Sequence, residues 1–277
     1  MSEVSSGNIL VIGAGRMGGA IINGWLQQGI GDKTIYIVDP NAEGLKSFTA
    51  HQGVYAVADV SGIPADIQFD YALLATKPQV IEQTLPTYKH LFNASTLLIS
   101  VAAGTTSETL ARLAEQPISI IRIMPNTPAL IGRGVMVASP NAQVSDKQKQ
   151  ACEALFTPLG NFYWVDDEEQ MHAVTAVSGS GPAYLFYFAE AMVAGAISTG
   201  LPKELAIQLA LDTVTGASAL LEQDNRAPAE LRKEVTSPKG TTEAALNIMM
   251  NDDALPELMK KAMAAAAVRS EELAQGK

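Results

Sequence analysis

Two short stretches carry residue types and spacings suited to chemistry. The first is Gly13-Ala-Gly15-Arg-Met-Gly18 within VIGAGRMGGAI. The spacing alone is a weak signal. Here it closes an apolar run, opens a helical pattern and precedes a second apolar run ending in Asp39. In that setting Gly13 permits a tight turn and Gly15 lets the backbone approach a pyrophosphate. Gly18 lets the helix pack close to a sheet, with its N-terminus facing the phosphate charge. Asp39 stands where a carboxylate can bond the ribose 2′-hydroxyl of NAD and disfavour the 2′-phosphate of NADP, with use of both left open. Asn41 either caps the next helix or touches the ribose. A tight glycine turn without a ligand is the bland alternative.

The second stretch is TSPKGTTEAAL, residues 236–246, which sets a proline, a glycine, a lysine and the hydroxyls of Thr236, Ser237, Thr241 and Thr242 in an Ala/Leu-rich region. It reads as a linker, a helix cap or a polar binding site. Two further segments, ATKP (Ala75–Pro78) and VAAG (Val101–Gly104), follow strand patterns, where open α/β sheets bind ligands. Pro78 suits a first helical position, leaving Thr76 as its cap, and Lys77 is either solvated or a cofactor contact. In SGSGPAYLF, the small residues Ser178–Gly181 serve close helix packing, the wall of a site, or both.

The elements that position these residues follow from pattern. NILVIG, TIYIVD, YALLAT, TLLISVA, SIIRIM and GVMVAS are continuous apolar runs, the mark of strands covered on both faces. Helical patterns such as 17–28 and 79–91 lie between them. Alternation of this kind predicts a doubly wound, mostly parallel α/β sheet. From Met171 onward no strand is expected. Ala/Leu/Met-rich helices are predicted over 183–199, 203–222, 242–250 and 255–274. The division is therefore 1–165 for a dinucleotide-binding domain and 166–277 for an all-α domain. AYLFYFAEAMVAGAI is apolar nearly all round, which predicts burial against another subunit.

Composition bounds the function. The 277 residues are 47% hydrophobic and 17% charged, which argues for a folded core. A net charge of -10 argues against duplex nucleic acid as partner. The lone Cys152 excludes an internal disulfide and sits in a helical pattern as a packing residue. His51, His90 and His172 have no metal-ligand spacing, so no metal site is expected. The N-terminus lacks a leader pattern and no apolar run of membrane-spanning length stands out, so a soluble cytoplasmic protein is expected.

Taken together, VIGAGRMGGAI, ATKP, SVAAGTT, IIRIMPNTPAL, AVTAVSGSGPAYLF and VTSPKGTTEAAL resemble the pyrroline-5-carboxylate reductase family over nearly the whole chain. The last two motifs are the specific ones. The resemblance implies a Rossmann domain followed by a helical domain that interlocks with a partner, and hydride transfer from NAD(P)H to a cyclic imine. It also implies that Ile12, Gly13, Ala14, Gly15, Arg16, Met17, Asp39 and Asn41 line the dinucleotide, with Ala75, Thr76, Lys77, Pro78, Val101, Ala102 and Ala103. Glu168, Glu234, Thr241 and Thr242 match positions facing substrate or the nicotinamide end; we place Glu234 with the cofactor and Glu168 with the substrate.

A small anionic imine needs clustered donors, which the late loop offers. Gly240 or Thr241 is an N-cap, Glu243 lies in the first helical turn, and the free N–H groups there form an anion site. Ser237 closes the loop or bonds the carboxylate, and Thr242 can place its hydroxyl on the ring nitrogen as the catalytic group. Two departures from the family stand out. Lys239 replaces a usual glycine, which matters if the position needs positive φ. Asp39 stands where many members carry residues suited to NADP. Rival readings are a β-hydroxyacid dehydrogenase, against which SGSGPAYLFYFAEAM lacks a lysine, and a non-catalytic nicotinamide-binding protein.

Overall fold

The computed structural model describes residues 7–29 and 33–275. One sheet contains β1 (Asn8–Ile12), β2 (Thr34–Val38), β3 (Val54–Val57), β4 (Tyr71–Leu74), β5 (Leu97–Ser100), β6 (Ser119–Met124), β7 (Gly134–Pro140) and β8 (Gly160–Trp164). Their spatial order is β3-β2-β1-β4-β5-β6-β7-β8. The first six are mutually parallel, β7 is antiparallel to β6, and β8 is parallel to β7. The 3-2-1-4-5-6 order is that of a doubly wound dinucleotide-binding sheet, with its switch point between β1 and β4.

Residues of β1 alternate between two cores. Ile9 and Val11 pack with Trp25, Ile37, Leu73 and Phe156, while Leu10 and Ile12 pack with Phe69, Leu74, Leu98 and Ile120. Both faces are dry, which is why the run is apolar without a break. β3 and β8 are not anticipated by pattern. Each has half-exposed positions (Tyr55 in β3, Tyr163 in β8), so alternation replaces the continuous run.

In the first half the helices are α1 (Arg16–Gln28), α2 (Ala42–Leu45), α3 (Ile81–Thr84), α4 (Ser107–Ala114), α5 (Asp146–Phe156) and α6 (Gln170–Val174). The helix expected over 79–91 is broken into a 3₁₀ turn at Pro78–Val80, the short α3, and 3₁₀ turns over Leu85–Leu91. Pro86 causes the break, because it has no N–H to donate and its ring crowds the preceding turn. Cys152 is fully buried in α5, and burial pushes its thiol up, so it stays protonated as a packing residue.

The second half holds α7 (Gly181–Ser198), α8 (Lys203–Gln223), α9 (Pro228–Glu234), α10 (Thr241–Met250) and α11 (Ala254–Ala274). α9 is additional to the expected helices; it starts on Pro228, a good first helical residue. α7 and α8 pack together, burying Ala189, Ala206 and Ala210. Phe186 and Tyr187 of α7 are 62% and 72% exposed in the single chain. Contrary to expectation, α8 is long and apolar enough to cross a membrane by length and composition. Its scattered charges interrupt the run without lowering the average far enough.

The chain divides into two compact units, Met1–Ser180 with Ala266–Lys277, and Gly181–Ala265. The first unit thus runs through α6 to Ser180, and the end of α11 belongs with it. The reasons are specific. Met171 of α6 is buried, and Ser270 Oγ lies 2.9 Å from His172 Nδ1. Thr175–Gly179 form a π-helical turn whose Ser178 carbonyl accepts from Asn126 Nδ2 at 3.1 Å. A Cβ on Gly179 would meet Met124 Cε at 2.6 Å, so this turn packs against the end of the Met124 side chain.

Candidate active site

The glycine-rich turn is built at the carboxyl end of β1. Gly13 N–H donates to the Val38 carbonyl at 2.9 Å and Ala75 N–H to the Ile12 carbonyl at 2.8 Å, so the ends of β1, β2 and β4 are tied together. Gly13 has φ +97, and a Cβ there would meet the Ala75 carbonyl oxygen at 2.9 Å. A Cβ on Gly18 would run into the Gly13 carbonyl. Gly15 differs: it is the N-cap of α1, and a Cβ there would touch nothing within 4 Å. Among the described residues no side chain caps α1, so the first N–H groups at the positive end of the helix have no side-chain acceptor. Thr76 Oγ1, behind Gly13, is buried and has no partner among the described residues. An uncapped helix start, an open backbone approach and an unpartnered hydroxyl fit the pyrophosphate of a dinucleotide.

Asp39 and its neighbours have defined partners. Asp39 Oδ2 accepts from Ala14 N–H at 2.7 Å and Oδ1 from Asn41 N–H at 2.8 Å. The carboxylate thus shapes the glycine turn and keeps lone pairs for a ribose hydroxyl. Asn41 Oδ1 accepts weakly from Gly44 N–H at 3.4 Å, the capping alternative. The residue before the Pro78 turn is Lys77, not Thr76, and it caps without a side-chain bond. Arg16, Lys77 and Pro78 are exposed beside this turn.

The loop after β5 is held from several sides. Ser100 Oγ accepts from Ala102 N–H at 3.3 Å, and Thr106 caps α4 by accepting from Thr109 N–H at 3.1 Å. Glu168 Oε1 accepts from Ser107 N–H at 2.7 Å and from Arg122 Nη1 at 2.5 Å. Arg122 is missed by motif reading. Its signal was present, as a lone cation inside the apolar strand SIIRIM. Gly104, at φ +75, lies against the backbone of Leu273 and Ala274.

In the helical unit, Glu234 Oε2 lies 2.8 Å from Arg226 Nη2, and Arg226 also holds Asp224. The Arg226 hydrogen bonds bring the Asp224 carboxyl down to about 2. This cluster braces the segment that leads into the late loop. There Gly240 is the N-cap of α10 and makes no side-chain cap bond, so the first N–H groups of Thr241 and Thr242 are uncapped. Gly240 N–H donates to the Ser237 carbonyl at 3.0 Å, closing the turn. Lys239 adopts φ 61, so this position does require the left-handed backbone that glycine prefers.

Fold order, glycine turn and carboxyl-end loops define a dinucleotide-binding protein of the Rossmann type. A family profile described as pyrroline-5-carboxylate reductase dimerisation matches residues 168–273, and one described as NADP oxidoreductase, coenzyme F420-dependent, matches residues 8–104. The pyrroline-5-carboxylate reductase of Pseudomonas aeruginosa is 38% identical over 272 residues, 98% of this chain and 98% of that protein. A solved pyrroline-5-carboxylate reductase from Coxiella burnetii superposes with TM-score 0.89 at 33% identity, covering 97% of this chain and 99% of the other. The Plasmodium falciparum enzyme, solved with NADP bound, has TM-score 0.80 at 25% identity over 96% and 98% of the two chains. The chain belongs to the pyrroline-5-carboxylate reductase family.

Proposed function

We propose that this protein reduces 1-pyrroline-5-carboxylate to L-proline with NAD(P)H, the last step of proline biosynthesis. The observation that carries the reading is end-to-end likeness to reductases of that name, including 38% identity over 98% of both chains. When bound, the reduced nicotinamide supplies a hydride, with both electrons of its C–H bond, to the imine carbon. The ring nitrogen takes up one proton, so imine, NAD(P)H and a proton give proline and NAD(P)⁺.

An imine is already electrophilic, so the chain's own task is mainly positioning. Gly13–Met17, Thr76 and Asp39 hold the dinucleotide. Uncapped N–H groups at Thr241 and Thr242, with Ser237, receive the carboxylate. Thr242 Oγ1 bonds the ring nitrogen as it gains its proton. We read the protein as a cytoplasmic homo-oligomer, a dimer or an assembly of dimers, without nucleic-acid or membrane partners. Exposed Leu185, Phe186 and Tyr187 lie inside the matched dimerisation region and supply the apolar face that a second copy would cover.

Loss of reduced-nicotinamide absorbance with 1-pyrroline-5-carboxylate, followed in parallel with NADH and NADPH, tests the activity. Turnover is expected, and silence with both cofactors would refute the reading. Light scattering tests assembly, where a fully active monomer would remove the covered-face argument.

A further inference from the structure

A buried arginine stands in β6 with no packing need for its charge. Arg122 is flanked by Ile121 and Ile123, and its side chain is 6% exposed. Its register partners are Ser100 of β5 and Ser139 of β7, both buried. A dry cation is tolerated only when paired and hydrogen-bonded. Glu168 provides that pairing, and the same Oε1 that receives Arg122 also receives Ser107 N–H. Glu168 therefore cannot swing away without stranding Arg122, which keeps an acceptor fixed on the first residue of α4.

We propose that Arg122 is a positioning residue for hydride transfer, acting through Glu168 to pin the start of α4 and with it the backbone of residues 101–106. This rests on the reductase reading above. Val101–Ala103 follow β5 at the carboxyl edge of the sheet, beside the β1–β4 crevice, where the nicotinamide end must be walled. Two further ties, Ser100 Oγ on Ala102 N–H and the Thr106 cap, act on the same loop, so the pair completes a rigid support. Displacement by about 1 Å at a reacting centre can cost about a hundredfold in rate. Glu168 is on this account part of the support, not a ligand of the substrate.

Ser107→Pro tests the link directly. Ser107 is the first residue of α4, where proline is tolerated, and Thr106 at φ -75, ψ 157 has the backbone a following proline favours. The variant deletes the N–H that Glu168 holds. Expected are a fall in kcat of about tenfold or more, a KM for the imine within about threefold, and a larger primary isotope effect with deuterated NADH. In the cofactor-free protein, amide exchange over 101–106 should quicken while β1 and β4 stay protected. The double variant Arg122→Met/Glu168→Met removes the pair without leaving a stranded charge and should behave alike. Wild-type kcat, isotope effect and exchange in either folded variant overturn the proposal. An unmutated protein inactive on the imine would sink the reductase reading instead, and the exchange measurement would still decide whether the anchor exists.

Discussion

Glu243 Oε2 accepts the backbone N–H of Lys239 at 2.6 Å, drawing the turn at 237–240 onto the first turn of α10. The bond helps to hold Lys239 at φ 61, a conformation that costs a non-glycine residue about 1–2 kcal/mol. Lys239→Gly should therefore raise stability by a net amount of about 0.5–1 kcal/mol, since glycine loses more entropy on folding. Chemical denaturation measures it, and an unchanged or lowered midpoint would show that the lysine makes compensating contacts.

Thr242→Val keeps the shape of the second residue of α10 and removes its hydroxyl. We expect kcat/KM for the imine to fall about ten- to a hundredfold, corresponding to roughly 1.5–3 kcal/mol for a bond to a charged group. Cofactor affinity should stay within about twofold. Steady-state kinetics and a cofactor titration settle it; unchanged kcat/KM would make the loop a plain helix start.

Asp39 is bonded to Ala14 N–H and Asn41 N–H, and on the proposed reading its charge meets the ribose. NADH should be a usable donor for the unmutated enzyme. Asp39→Ser removes the repulsion toward a 2′-phosphate and should raise the NADPH/NADH ratio of kcat/KM by about tenfold, on the order of one charge-assisted contact. A ratio that stays put, or no turnover with NADH at saturation, contradicts this role.

Gly18→Ala places a Cβ against the Gly13 carbonyl, which is backbone and cannot rotate away. The glycine turn must shift, costing about 1–3 kcal/mol of stability and weakening dinucleotide binding. Gly15→Ala meets nothing within 4 Å among the described residues, so it should leave thermal stability near wild type and act on cofactor binding alone. Calorimetry of both variants with and without NADH separates the two effects. Equal stability losses would mean that Gly15 is also structural.

Much of this was legible in the sequence because it depends on local rules. The β1–α1 turn was readable since G-x-G-x-x-G after an apolar strand has few other uses, and six of the eight strands announced themselves by being apolar on both faces. β3 and β8 were not, because half-exposed strands look like loops. The helix over 79–91 is interrupted at Pro86, whose missing N–H outweighs the apolar periodicity of the stretch. That α6 and the turn after it are tied to the sheet through Asn126 and Ser178 was not legible, because no local pattern reveals a contact between residues so far apart.

The sequence alone determined the class of fold, the family and the glycine turn between β1 and α1, because each is encoded by short-range spacing of glycines, apolar residues and hydroxyls. Only the tertiary structure decided that Lys239 sits in a left-handed backbone and that Asp39 is tied to the turn it follows. It likewise decided that Arg122, Glu168 and Ser107 meet on one carboxylate oxygen. Those three residues are far apart in the chain, and their meeting follows from burial. A cation folded into a dry sheet needs a partner, and where that partner comes from is a property of the packed chain.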